Sequence, residues 1–170
     1  MRSNTRIRNL THGAIIAALY AVLTHLQNLL LPGSASWAIQ CRLSEALCVL
    51  AFFTPAAIPG LSVGCLLFNL SFAAALPLDL LLGTLATLAA TWLMWITRNI
   101  RLFRLPLPGL LFPALTNALL VGWELTVYIG GGFWVNALYV ALGESIVLLT
   151  LGVGLYWIIR ERHLDRKLFA

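Results

Sequence analysis

The chain has 170 residues, of which 61% are hydrophobic and 10% charged, with eleven Lys and Arg against six Asp and Glu. Soluble domains average about 45–50% apolar and 25% charged residues, so an ordinary soluble domain is excluded, and lipid is the solvent that tolerates such a chain. The formal charge of +5 is gathered in short basic clusters between apolar runs, a pattern of membrane topology and not of nucleic-acid binding.

A helical crossing needs roughly 20 residues, which leaves room for about six crossings and for no soluble catalytic domain. Residues 1–9 carry Arg2, Arg6 and Arg8 and no acid. The first span is predicted at 10–31. Within it Gly13, Ala17 and Ala21 recur every fourth residue, with Ala14 and Ala18 one position on. They form a smooth ridge that another helix can approach closely, or reflect how common alanine is in membrane helices. Pro32 and Gly33 end this helix, and in the loop that follows Trp37 is either an interfacial anchor or a gate.

The stretch from Gln40 to Gly64 organises the rest. Arg42 and Glu45 stand three apart at the mouth of an apolar segment, so on a helix they share a face and can pair. Charges at membrane depth are costly, which makes the pair either part of a functional site or a device that fixes the helix entry. The second span is predicted at 43–58, broken by Pro55 and Pro59, and the third at 61–76 with Asn69 inside it. Both are short, and shortened helices mark binding sites in many transporters.

Asp79 is the candidate N-cap of a fourth span at 79–96, where Thr84, Thr87 and Thr91 follow helical spacing. A basic turn leads to a fifth span at 110–129, and the Gly130–Gly132 triplet separates it from a sixth at 133–159. The expected architecture is an all-α membrane protein of six transmembrane helices in a single domain. With the N-terminus inside, the inner segments hold ten of the eleven basic residues and only Arg42 lies outside, so both termini are placed in the cytoplasm.

On that topology Glu45 lies near the outer surface, Glu124 in the outer half of the fifth span and Glu144 near the middle of the sixth. Asn117 precedes Glu124 by seven residues on the same helix face, and Trp123 and Trp134 flank the rim. The acids Glu45, Asp79, Glu124 and Glu144 outnumber Arg42, which asks for a cationic or donor-rich ligand unless some are protonated or only cap helices. Cys41, Cys48 and Cys65 have no metal-ligand spacing. No phosphate loop, H-E-x-x-H or G-x-S-x-G motif is present, so neither ATP hydrolysis nor metal or nucleophilic chemistry is expected, and no cofactor.

The strings IQCRLSEALCVLAFFTPAAIPGLSVGCLLFNL and LDLLLGTLATLAA, with NALLVGWEL and ALGES, resemble the QueT family over roughly residues 12–155. That family comprises substrate-binding S components of energy-coupling factor (ECF) transporters. The resemblance implies six helices and a substrate pocket near the outer face, with the loop carrying Trp37 as lid. It also implies docking of the first helix, through Gly13, Ala14, Ala17, Ala18 and Ala21, on a transmembrane coupling subunit that works with two ATPase subunits. The implied ligand is a queuosine precursor, a 7-deazaguanine base, with Arg42, Glu45, Asn69, Asn117, Glu124 and Glu144 as pocket candidates. A standalone small-molecule transporter, an S component for another vitamin-like heterocycle, and a membrane enzyme using the buried acids are the alternatives. The expected setting is the cell (plasma) membrane of a prokaryotic-type cell.

Overall fold

The computed structural model describes residues 2–32, 34, 41–71, 77–103 and 105–169, and among them every regular element is helical. Helix α1 (Arg2–Leu30) runs through the basic N-terminal segment and into the apolar run without a break. A 3₁₀ segment (Leu43–Phe52) follows, then α2 (Ala57–Ser71), α3 (Asp79–Ile96) and a short α4 (Leu107–Leu110). Helices α5 (Phe112–Tyr128) and α6 (Phe133–Val147) come next. A π turn (Leu148–Gly152) joins α6 to α7 (Val153–Glu161), and α8 (Leu164–Phe169) closes the chain.

Among the described residues four helical stretches are long and apolar enough to cross a membrane: Thr5–Leu30, Asp79–Ile96, Leu107–Tyr128 and Phe133–Glu161. The expected second span is shorter and wound differently, and the third starts earlier. The second is a 3₁₀ helix of 10 residues instead of an α-helix to residue 58. The third begins at Ala57, four residues earlier than expected, and is followed to Ser71. Pro59 does not delay it. A proline in the first turn gives up an N–H that has no helical acceptor anyway, and the first four-residue bond is made by the Gly60 N–H to Ala56 O, 3.2 Å. The break falls at 53–56, where Thr54 Oγ1 accepts from the Ala56 N–H at 3.3 Å.

The helices pack in sequence, α1 on α2, α2 on α3, α3 on α5 and α5 on α6, while the 3₁₀ segment touches α1, α2, α3, α6, the π turn and α7. It is the centre of the bundle: Cys48, Val49 and Ala51 are fully buried and join Tyr20, Leu61, Met94, Leu110 and Leu148 in one apolar core. Two close approaches depend on glycine. A Cβ on Gly64 would lie 2.7 Å from Ala17 O, and one on Gly122 would lie 2.8 Å from the Ala137 Cα. The first lets α2 sit against the Gly13–Ala17 side of α1, and the second draws α5 onto α6.

Candidate functional site

The polar residues of the site are set by α1 and the chain that enters the 3₁₀ segment. Tyr20, Thr24 and Gln27 recur at helical spacing on α1 and all three are buried. Gln27 Nε2 donates to Cys41 O at 2.6 Å, and Gln27 Oε1 accepts from the Leu43 N–H at 2.8 Å. Thr24 lies 2.7 Å from the Ser44 hydroxyl, and the Tyr20 hydroxyl donates to Glu45 Oε1. This ladder holds residues 41–45 against α1. Tyr20 and Thr24 were not among the expected site residues, although they show in the sequence as a polar stripe at helical spacing within an apolar span.

Arg42 is 2% exposed, and its Nη2 donates to Asp79 Oδ2 at 3.0 Å as an ion pair. Its partner is thus not Glu45, the residue that stands three positions on. Arg42 precedes the helix with extended backbone (φ −71°, ψ 106°), so the three-residue face rule does not govern it and its side chain reaches α3 instead. Glu45 is held by Tyr20 and by Cys48, whose thiol donates to Oε2 at 3.1 Å. Asp79, expected to cap α3, is that helix's first residue, with Leu78 at the capping position and no side-chain cap bond. Its carboxylate belongs to the ion pair.

Asn69 on α2 ties this end of α3 down, its Nδ2 donating to Asp79 O at 2.8 Å. Gly83 leaves the necessary space, since a Cβ there would meet Asp79 Oδ1 at 2.6 Å. From the other side α5 brings Asn117 and Glu124, and α6 brings Glu144, all three buried. Asp79 and Arg42 are the charged neighbours of Glu124. Glu45 and Arg42 are those of Glu144, which Asn117 also flanks. The six expected pocket residues thus gather between the 3₁₀ segment, α2, α3, α5 and α6.

The state of their acceptors divides them. Both oxygens of Glu124, both of Glu144, Asn69 Oδ1 and Asp79 Oδ1 are buried without a hydrogen-bond partner of good geometry among the described residues. Buried polar groups are nearly always paired, and one left open costs about 1–3 kcal/mol. Every open atom is an acceptor, so the arrangement is complementary to a compact ligand bearing N–H or O–H donors and positive charge. No group of three or more His, Cys, Asp and Glu among the described residues is placed to hold a metal ion.

The remaining expected residues fall elsewhere. Thr84, Thr87 and Thr91 each bond a carbonyl of the preceding turn of α3, so their hydroxyls face their own backbone. Trp123 and Trp134 are 50% and 76% exposed on the outer surface, and Trp37 lies outside the described residues. Ala17 is buried against α2 and Gly13 and Ala21 are half-buried, whereas Ala14 and Ala18 face outwards. Cys41, Cys48 and Cys65 are free thiols.

A family model described as QueT transporter matches residues 10–161. No curated protein and no solved structure matches the chain.

Proposed function

The chain belongs to the QueT transporter family, and from that premise we propose that it is the substrate-capture subunit of an energy-coupling factor importer. It is an integral membrane protein, and its family is one of transport. In this reading the whole chain is one domain that crosses the cell membrane six times, with both termini in the cytoplasm. The basic clusters at 2–8, 98–104 and 160–167 support that orientation. The 3₁₀ winding supports the crossing count: at about 2.0 Å per residue, a short segment covers more depth than an α-helix of equal length.

The observation that carries the reading is the set of six buried acceptors without a donor among the described residues, on Asn69, Asp79, Glu124 and Glu144. A 7-deazaguanine base presents adjacent N–H groups that a carboxylate accepts in parallel, and an aminomethyl substituent adds a cation. Glu124 and Glu144 take the donors of the base, Asn69 and Asn117 position its edges, and Arg42 with Asp79 frames the ring. Glu45 is already engaged by Tyr20 and Cys48, and it shapes the wall.

Energy comes from two ATPase subunits through a transmembrane coupling subunit. Because Gly13 and Ala17 lie against α2, the outward pair Ala14 and Ala18 offers α1's small-residue contact to that subunit. Mass spectrometry of the small molecule that co-purifies with the chain tests the substrate. A donor-rich deazapurine is expected, and an anionic or donor-free molecule would overturn the reading. Ala18→Trp tests the coupling: uptake in cells is expected to vanish while binding by the purified chain persists. Wild-type uptake would favour a transporter that needs no partner.

A further inference from the structure

A second polar site lies at the opposite end of the bundle from the carboxylates. A cavity of about 320 Å³ opens where the ends of the 3₁₀ segment, α3 and α7 meet α8, and it is lined by Arg98, Arg101, Arg160, Arg166, Asp165 and Phe53 among others. Four guanidinium groups face one carboxylate there. Two are fixed in place. Arg98 stacks over the Trp95 ring at 3.7 Å and donates to Trp95 O at 2.8 Å. Arg160 lies 3.5 Å from Asp165 Oδ2 and stands over the Phe53 ring at 5.5 Å. Arg101 and Arg166 are exposed and have no carboxylate partner among the described residues. Asp165 Oδ1 is buried and unpartnered, so the cavity offers one acceptor beside its cluster of donors.

We infer that this cavity binds the phosphoglycerol headgroup of an anionic phospholipid. The phosphate is the planar-fork ligand that guanidinium groups recognise. A headgroup hydroxyl supplies the donor that Asp165 Oδ1 lacks. The surroundings favour a lipid over free phosphate: Ile96 at the end of α3, Trp157 and Ile158 on α7 and Leu168 on α8 are exposed on the elements that bound the cavity, and they offer acyl chains an apolar surface. Basic pockets between membrane helices hold anionic headgroups on this principle. The inference uses none of the residues assigned to the heterocycle, so either can fail alone.

The test is native mass spectrometry of the full chain in detergent, titrated in parallel with short-chain phosphatidylglycerol, short-chain phosphatidylcholine and inorganic phosphate. Phosphatidylglycerol is expected to stay bound, with phosphatidylcholine at least tenfold weaker and phosphate unable to displace it at equal concentration. Arg101→Gln with Arg166→Gln, both exposed, should weaken phosphatidylglycerol by about fivefold per arginine. Asp165→Asn, titrated also with short-chain phosphatidic acid, which lacks the glycerol hydroxyls, should narrow the preference for phosphatidylglycerol over it. Equal binding of the two neutral and anionic lipids would overturn the proposal, as would displacement by phosphate alone. Unchanged lipid binding in the double variant, with loss of contact to a purified coupling subunit, would assign the arginines to a protein partner instead.

Discussion

Two groups of buried carboxylates lie within one bundle and are treated in opposite ways. On the α1 and α3 side Asp79 is paired with Arg42 and Glu45 is held by Tyr20 and Cys48, so the chain completes most of that polar network itself. On the α5 and α6 side Glu124 and Glu144 are as deeply buried, and all four of their oxygens are open. Burial alone therefore does not identify a binding group. The first half is held by its own chain, and the second offers acceptors that nothing among the described residues satisfies.

Breaking the closed half should give the largest effect. Arg42→Met leaves Asp79 buried without its cation, and a loss of about 3–5 kcal/mol is expected in chemical unfolding of the detergent-solubilised protein. Arg42→Met combined with Asp79→Leu should recover most of that loss, and a double variant as unstable as the single one would deny the ion pair its role. On the open side, Glu124→Gln replaces an acceptor by a donor, so affinity for the heterocycle should fall about ten- to a hundredfold, or about 1.5–3 kcal/mol. Stability without ligand should not fall. Calorimetry giving wild-type affinity would remove Glu124 from the site.

Smaller effects sharpen the boundary between the halves. Tyr20→Phe takes one donor from Glu45 and should lower stability by about 1–2 kcal/mol, seen as an earlier unfolding midpoint with ligand contacts unchanged. Thr91→Val should change ligand affinity by less than about twofold, because its hydroxyl already serves its own helix. A large affinity change would mean that the α3 threonines turn towards the ligand after all.

The parts of this molecule legible in its sequence are those governed by neighbours along the chain. Helix α3 occupies the 79–96 interval that Asp79 and the apolar run predict, and α6 begins at Phe133 directly after the glycine triplet. Gly130 and Gly131 adopt positive φ of 84° and 81°, which a β-substituted residue resists. The acid surplus was legible too, because it is a count. What spacing could not give was the winding of residues 43–52 or the partner of Arg42. Both depend on packing against α1 and α3, and the bonded carboxylate lies 37 residues away along the chain. The difference between Glu45 and Glu124 was hidden for the same reason, since Tyr20 reaches Glu45 from another helix.

The π turn at Leu148–Gly152 sets the timing of the last helix. Tyr156 follows Glu144 by twelve positions, and in unbroken α-helix it would point about 120° away around the axis. A π turn absorbs one extra residue and brings the two bearings to within about 20°. Both side chains are indeed inward, Glu144 fully buried and Tyr156 5% exposed. Tyr156 packs on Phe53 and accepts from Arg160 Nε at 3.4 Å, so a single shaft carries a carboxylate in one compartment and an arginine in the other. Rewinding those residues as ordinary helix, with none removed, would undo that correction. The lower half of the shaft would then rotate by about 100°, swinging Tyr156 and Arg160 off their seats while Glu144 stayed where it is.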